Sequence, residues 1–201
     1  MTKPFSFDTA RTAVLSMDLQ TGIVSIYAKG QADLLTRAAG VLKKARDQGL
    51  TVIHVQVGFR PGLPEISSRN PLFSALKNSV QHQQLFQGSA GAIHPAVAPQ
   101  GEDIVITKHR ISAFTGTDLD MILRARGIET LILFGIATSG VVLSTLLHAS
   151  DADYGVIVVK DCCTDRDPEV HACLVEKLFP RLARVLSAGE LIDAMGIKSK
   201  S

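Results

Sequence analysis

Two ionisable residues stand where they could exchange a proton with a substrate. Asp18 directly follows the apolar run 12–17, and Lys108 closes the apolar run 103–108. If both runs are parallel strands, their carboxyl ends lie at the edge of the sheet where α/β proteins bind ligands. A carboxylate and an ammonium in contact there could activate water or protonate a substrate. They could equally form a structural ion pair that caps the sheet.

A second feature is the stretch "GIATSGVVLSTL" at 135–146, which follows the apolar run 129–135. A turn from a strand into a helix is a common place for a nucleophile in α/β enzymes. This stretch has no cysteine, and position 141 is Val. Other polar residues at predicted strand ends are Gln20, Gln56, Arg60, His109, Arg110, Thr138, Ser139 and Asp161. The sequence therefore predicts a polar site and leaves its nucleophile open.

Short apolar runs and longer amphipathic runs alternate along most of the chain. The predicted strands are 12–17, 51–57, 103–108, 129–135, 155–161 and 183–187. The predicted helices are 32–49, 117–127, 139–152, 167–179 and 188–196. Continuous Val, Ile and Leu runs separated by helices indicate a parallel sheet covered on both faces. We predict a three-layer, Rossmann-like α/β fold in a single domain over 1–201.

The segment 58–102 departs from this alternation because it is long, contains Pro and Gly, and is weakly periodic. Segments of this size inside a compact domain are usually functional. We expect this segment and a neighbouring subunit to line the pocket. Its histidines, His82 and His94, are expected at the surface.

Composition argues against several classes of protein. Hydrophobic residues make up 46% and charged residues 20% of the 201 residues, as in globular chains. The net charge is +2 without clustered Lys or Arg, so a nucleic-acid partner is not indicated. No apolar run approaches the roughly 20 residues of a membrane span. The first residues lack a secretory pattern, so we expect a cytoplasmic protein without a membrane partner.

Neither the cysteines nor the histidines suggest a metal or a cofactor. Cys162, Cys163 and Cys173 do not suit a disulfide framework, and free thiols are the simpler interpretation. A zinc site that included His171 would lack the usual C-x₂-C spacing. His54 lies within a predicted strand, where a packed histidine is more common than a ligand. We predict no metal site and no cofactor.

The residues of chemical interest lie in motifs that resemble those of the isochorismatase-like cysteine hydrolases. "AVLSMDLQTGIV" resembles that family's first-strand motif, with Asp at the strand end and Gln two residues later. "ITKHRISAF", "GTDLD", "GIATSGVV" and "VVKDCC" resemble its central motifs in the same order. The co-linear match covers roughly residues 12–163. It implies a six-stranded parallel sheet, a homodimer or homotetramer, and C–N hydrolysis through an Asp–Lys–Cys triad.

Carried over by position, the resemblance assigns the acid/base carboxylate to Asp18 and the lysine to Lys108. The nucleophile position falls on Val141, which has no thiolate, so a thioester route cannot run from it. A displaced nucleophile is an alternative. Ser144 and Thr145 lie a turn further into the predicted helix, about 4.5–6 Å deeper. The thiols at the end of the fifth strand are the other candidates.

The same motifs suggest residues that contact a substrate. The family has a cis peptide before the motif's Thr, here Ile136–Ala137, and this turn offers backbone N–H groups to a substrate oxygen. Gln20 and Gly140 belong to the matching motifs, so we also expect them to bind the substrate. Phe114 could wall the pocket or belong to the core. Ser139 is expected to cap the helix.

One branch of the family, the true isochorismatases, works without the cysteine. These enzymes have Gly at that position and hydrolyse a vinyl ether by protonation followed by attack of water. Gln56 matches a substrate-binding glutamine of that branch, and Arg60 or Arg69 could bind a carboxylate. Val141 is bulkier than Gly and narrows the pocket, which puts substrates of isochorismate's size in question.

We therefore expect a hydrolase that acts on a small polar metabolite by Asp/Lys-assisted water chemistry, on a vinyl ether or a C–N bond. A catalytically inactive pseudoenzyme that binds a metabolite or a partner protein is the main alternative. Nicotinamidases carry "D-x-H" after the second strand, whereas this chain has "VQVGFRPG". No nicotinamidase activity is expected.

Overall fold

Apolar strands build the centre of the protein, which a computed structural model describes over residues 7–196. The strands are β1 (Thr12–Met17), β2 (Thr51–Val57), β3 (Ile104–Lys108), β4 (Thr130–Ile136), β5 (Gly155–Thr164) and β6 (Arg184–Leu186). Every neighbouring pair is parallel, in the spatial order β3-β2-β1-β4-β5-β6. All of β1 and nearly all of β4 are buried, which explains their continuous apolar runs.

Helices cover both faces of this sheet. They are α1 (Thr21–Tyr27), α2 (Ala32–Asp47), α3 (Pro71–Lys77), α4 (Val80–Gln84), α5 (Gly88–Gly91), α6 (Leu119–Ala125), α7 (Leu143–Asp151), α8 (Pro168–Cys173) and α9 (Ala188–Met195). The crossovers β1–α2–β2 and β4–α7–β5 run in opposite directions along the sheet, so right-handed connections place their helices on opposite faces. The predicted three-layer α/β fold with a six-stranded parallel sheet is confirmed. Within residues 7–196, no helix has the length and apolar character to cross a membrane.

The segment 58–102 folds into α3, α4, α5 and a short helical turn at Pro95–Val97. Phe73 and Leu76 of α3 form a small apolar cluster with Ile66, and the ring of Phe59 packs edge-on against the rings of Phe73 and Phe86. The segment returns to the sheet through an antiparallel bridge between Gln20 and Ile93. The small apolar cluster of this segment lies beside the carboxyl ends of β1, β2 and β3.

The predicted helix 139–152 begins differently from the expectation. A widened turn spans Thr138–Val142, with Gly140 in a non-helical conformation, and α7 starts at Leu143. The Ser139 side chain makes no capping bond to α7, so that prediction is wrong. The backbone N–H of Ser139 instead donates to Asp165 Oδ2 at 2.8 Å. This contact ties the turn to the loop that follows β5.

Candidate active site

Asp18 stands at the centre of the site, directly after β1. Its backbone has a positive φ of 54° and its N–H donates to Val55 O at 2.8 Å, so the chain leaves the sheet immediately after Met17. β1 lies between β2 and β4, where connections diverge to either side of the sheet. Ligands in open α/β sheets bind at this switch point.

Lys108, the last residue of β3, reaches Asp18 across the end of β2. The Lys108 Nζ atom is 2.8 Å from Asp18 Oδ2, and the two side chains are 3% and 8% exposed. The ammonium also donates to the Arg110 carbonyl oxygen at 3.0 Å. The two residues that the sequence suggested as a pair are therefore in contact, through a charge-assisted hydrogen bond.

Burial raises the pKa of the Asp18 carboxyl, and the Lys108 cation opposes that rise. Asp18 Oδ1 is buried and has no hydrogen-bond partner among residues 7–196. A buried polar atom in this condition calls for an explanation, and a substrate or a reacting water is one. A carboxyl group with a raised pKa and an unpartnered oxygen is suited to accept and return a proton.

A cavity of about 360 Å³ opens beside this pair. Much of its wall is apolar, with Ile23 and Ile26 from α1 and Leu72 and Phe73 from α3. Its other polar or charged residues besides the pair are Tyr27, His82, Arg110 and Arg166. A second cavity, of about 380 Å³, lies next to it among Phe59, Arg60 and other residues of the 58–102 segment. We place the site in the first cavity because it contains the buried carboxylate and ammonium.

The turn after β4 forms another wall of this cavity. Ile136, Ala137, Gly140 and Val141 line it, and the Ile136–Ala137 peptide bond is cis, as the resemblance implied. The preceding Gly135 has φ +144°, and a Cβ there would collide with the Met17 carbonyl oxygen. Glycine at this position therefore lets the turn approach the end of β1. Val141, only 2% exposed, presents methyl groups near the charge pair.

Several N–H groups of the turn already have partners. The Gly140 N–H donates to Ala137 O at 3.1 Å, and the Val142 N–H donates to the same carbonyl at 3.3 Å. With the Ser139 N–H held by Asp165, these three donors face protein acceptors. Gly140 therefore lines the cavity, but its N–H is not free to bind a substrate oxygen in this conformation.

The structure does not bring Gln20 and Gln56 into the cavity lining. Gln20 is fully buried, and its amide is used by backbone groups: Oε1 accepts from Val57 N–H, and Nε2 donates to Val57 O and Gly91 O. Gln20 therefore joins β2 to the 58–102 segment. Gln56 Nε2 donates to Thr107 Oγ1 on the neighbouring strand. Alternation along β2 turns Val57, and not Gln56, toward the cavity.

Arg60 and Phe114 are also placed elsewhere. The Arg60 side chain is 71% exposed, pairs with Glu65 at 2.7 Å, and lines the second cavity. Phe114 is buried and stacks on His148, with ring centroids 4.4 Å apart. Of the two alternatives that the sequence left open for Phe114, a pocket wall or the core, the structure shows the core.

Arg110, one of the polar residues at the predicted strand ends, lines the cavity. Its guanidinium donates to His109 O and Glu65 O and lies over the Phe73 ring at 5.7 Å. Two further cavity residues, Arg166 and His82, were not predicted at the site. Arg166 follows β5 and forms no ion pair with any carboxylate of the described residues. Nothing local indicates Arg166 or His82, because loop paths bring them to the cavity.

The buried thiols and histidines lie away from this chemistry. Cys162 and Cys163 are buried in β5 and are absent from the cavity wall. Burial raises the pKa of both thiols, that of Cys163 to about 12. His54 is a packed core histidine, as predicted, 3.1 Å from Asp103 Oδ2. Within the described part of the chain, no three His, Cys, Asp or Glu side chains are placed to hold a metal ion.

These features define an α/β protein in which a buried carboxylate–ammonium pair and a strand-to-helix turn line one cavity. The chain belongs to the isochorismatase family, because residues 12–190 match the Isochorismatase domain. A maleamate amidohydrolase of Pseudomonas putida is 31% identical over 165 residues, covering 80% of this chain and 76% of that protein. A ureidoacrylate amidohydrolase (RutB) of Methylobacterium radiotolerans is 30% identical over 219 residues, covering 99% of this chain and 85% of the relative.

A solved structure of the family supports the same assignment. An isochorismatase family protein from Burkholderia thailandensis superposes with a TM-score of 0.82 at 30% sequence identity. The alignment covers 96% of this chain and 98% of that one.

Proposed function

We propose that the protein is a hydrolase that acts on a small metabolite by water chemistry assisted by Asp18 and Lys108, without a cysteine nucleophile at position 141. One observation carries this proposal. The buried pair keeps one carboxylate oxygen unpartnered beside a cavity whose turn carries Val141. Keeping two charges buried is costly unless they are paired and used, and a methyl-bearing side chain leaves attack to water.

Asp18 would act as the acid and base of the reaction. On a C–N bond it would take a proton from the attacking water and return it to the leaving nitrogen. On a vinyl ether, protonated Asp18 would give its proton to carbon, and water would add to the resulting oxocarbenium ion and return a proton to Asp18. The hemiketal formed would then break its C–O bond to release an alcohol and a carbonyl compound. Such proton transfer contributes about 10²–10⁴-fold to rate. Lys108 would hold Asp18 in place and stabilise negative charge that develops on a substrate oxygen.

The cavity favours a small anionic substrate with an apolar or planar body. Arg166 forms no ion pair within residues 7–196 and lines the same cavity as the apolar side chains of α1 and α3. A guanidinium in such a place suits a carboxylate, which it can bind through two hydrogen bonds. The names of the maleamate and ureidoacrylate relatives denote carboxylates with a C–N bond. We propose a substrate of this class, with its carboxylate at Arg166.

The second candidate function is a pseudoenzyme that binds such a metabolite without turnover. Val141 itself favours it, because this buried residue occupies the turn without a nucleophilic atom. The two proposals predict the same ligand class and different products. Binding alone therefore cannot decide between them, and a turnover measurement can.

The deciding experiment is a hydrolysis panel of small amide, ureide and vinyl-ether carboxylates with the parent and three variants. We expect turnover by the parent, loss of at least about 100-fold with Asp18→Asn, and a raised KM with Arg166→Met. Arg124→Met is the matched control, because Arg124 is an exposed helix residue paired with Asp120 and remote from the cavity. If the parent binds panel compounds but turns none of them over, the hydrolase proposal is refuted and the pseudoenzyme proposal is supported. Turnover unaffected by Asp18→Asn would refute the Asp18 mechanism.

A covalent route can be tested on the same panel. Mass spectrometry of the protein during turnover should show no acyl adduct. An adduct on a cysteine would establish the displaced nucleophile. Val141→Cys should create an adduct at position 141 if the turn still presents that residue to the substrate.

We also propose that the protein forms a homodimer or homotetramer whose second subunit helps to close the cavity. The support is that Ile26, Leu72 and Ile111, at 40%, 59% and 38% exposure, all line this cavity. Light scattering at several protein concentrations measures the assembly state. A monomer at all concentrations would contradict this proposal.

A further inference from the structure

Two side chains of the segment after β5 hold the turn that carries Val141. His171 Nδ1, on α8, is 2.8 Å from Thr138 Oγ1, and the ring tautomer decides which atom donates. Asp165 Oδ2 accepts the N–H of the next residue, Ser139, at 2.8 Å. The two contacts grip consecutive residues of the turn. We call Asp165, His171, Thr138 and Ser139 the turn clamp.

The start of α8 is capped, which fixes the place from which His171 reaches the turn. Asp167 caps α8, accepting from the N–H groups of Glu169 and Val170, and Pro168 begins that helix. His171 therefore projects from a fixed first turn of α8. It is half-buried, and burial lowers its pKa, with Asp165 and Glu176 opposing this shift. A neutral imidazole has one nitrogen with a lone pair and one with a hydrogen, which allows a hydrogen bond with a hydroxyl in either direction.

The turn itself contains a flexible position that requires such support. Gly140 has φ −98° and ψ −105°, outside the helical range, and α7 starts only three residues later. Glycine loses more conformational freedom on ordering than any other residue. Contacts on the N-terminal side of Gly140 therefore act together with α7 on the other side to set where the residue after it points. That residue is Val141, which lines the cavity with Asp18 and Lys108.

The same short segment also supplies Arg166. This residue lies between Asp165, which holds the turn, and α8, which carries His171. Arg166 lines the cavity beside Val141 and Gly140. Movement of the clamp would therefore displace the turn and the Arg166 guanidinium together.

We propose that His171 and Asp165 are positioning residues, which act through Thr138 and Ser139 to set the place of residue 141 relative to the Asp18–Lys108 pair. This proposal rests on the proposed location of the active site, but not on turnover. Neither residue lines the cavity, so neither touches a substrate there. The clamp is what couples the loop after β5 to the chemistry at the end of β1.

A thiol placed at position 141 reports this positioning without any substrate. The reporter protein carries Val141→Cys and Cys173→Ser, since Cys173 is the exposed native thiol of the described chain. Position 141 is about as buried as the two remaining thiols, in β5, but it lines the cavity and they do not. Burial also raises the pKa of both β5 thiols, so iodoacetamide that enters the cavity should label the reporter first. Rates across pH 5–10 give the apparent pKa of the reporter and its limiting rate. Both depend on the distances from the thiol to Lys108 and Asp18.

We expect His171→Phe and Thr138→Val each to shift the reporter's apparent pKa by at least about half a unit or its limiting rate at least about threefold. The double variant should change no more than the larger single change, because both substitutions remove the same hydrogen bond. Thr138→Ser keeps the hydroxyl and should restore the parent values. Asp165→Ala should also shift the reporter, and Asp165→Asn, which keeps an acceptor oxygen, should shift it less. Val170→Ala, a neighbouring substitution on α8, is the control.

The proposal is overturned if folded His171→Phe, Thr138→Val and Asp165→Ala proteins all keep the parent pKa and rate. It is also overturned if Thr138→Ser and Thr138→Val shift the reporter equally, because the hydroxyl would then have no role. Should Thr138→Val fail to fold, the Asp165→Ala and Asp165→Asn pair decides by the same criterion. A protein without hydrolase activity but with a shifted reporter would refute the proposed function and support the clamp.

Discussion

Removing the Lys108 cation should expose how much Asp18 depends on it. In Lys108→Met the Asp18 carboxylate stays buried, with Oδ1 already unpartnered and the 2.8 Å contact between Oδ2 and Lys108 Nζ lost. Removing one partner of a buried ion pair costs about 3–5 kcal/mol. For a chain of this size, that corresponds to a fall in Tm of roughly 6–20 °C. Asp18→Asn/Lys108→Met should cost less than the sum of the two single changes, with a coupling of about 1–3 kcal/mol.

The stability cost of Lys108→Met should depend on pH. The pKa of Asp18 is raised by burial, so the folded protein takes up this proton more readily than the unfolded chain does. The corresponding stability is complete below the unfolded pKa of about 3.9 and is lost as pH rises through the folded pKa. Without Lys108 the folded pKa rises further, and the loss extends to higher pH. The variant should therefore be closer to the parent at pH 5 than at pH 8.

Urea unfolding followed by circular dichroism at pH 5, 6.5 and 8 measures these differences. Arg124→Met is again the control, because its partner Asp120 is exposed. A pH-independent gap between Lys108→Met and the parent would show that Asp18 carries no uncompensated charge. Strictly additive single variants would show that the contact contributes no coupling. Either result refutes the reasoning.

Three further predictions concern residues outside the cavity. Burial lowers the pKa of His54, so stability should be full above the unfolded pKa of about 6.5 and fall below it until the folded imidazole also titrates; His54→Gln should flatten that slope in urea midpoints from pH 5 to 7.5. Phe114→Leu should cost about 1–3 kcal/mol by losing its stack on His148, with kcat unchanged, in denaturant unfolding and turnover assays. Ellman's reagent should react with Cys173 in the native protein and with the two β5 thiols only after unfolding.

Strands and their ends followed closely from the sequence. β1 and β2 match the predicted 12–17 and 51–57, because continuous burial on both faces demands uninterrupted apolar runs. β5 runs to Thr164, three residues beyond the prediction, because Cys163 and Thr164 rejoin β4 after a register shift. The prediction ended this strand at Asp161 because a polar residue there interrupts the apolar run. A side-chain pattern does not reveal an irregular pairing of this kind.

The site was predicted only where it depends on strand ends. Asp18 and Lys108 came together because parallel strands carry their last residues to a common edge. Gln56 is one step of strand alternation away from the cavity wall, and Arg60 lies outside that wall, where it pairs with Glu65. Arg166 depends on the path of a loop. Neither periodicity nor motif spacing specifies such a path, since side-chain contacts of the folded state determine it.

The position of β1 between β2 and β4 affects how the protein is made. Thr12 pairs with Thr130, so β1, the strand before Asp18, gains its second neighbour roughly 120 residues after it is synthesised. At about 5–20 residues per second, a ribosome needs on the order of ten seconds to produce that neighbour. During this interval a nascent chain can form the β1–β2 pair but leaves one edge of β1 open. The Asp18 carboxylate, directly after the first strand, is thus present early, and its surroundings are completed late in translation.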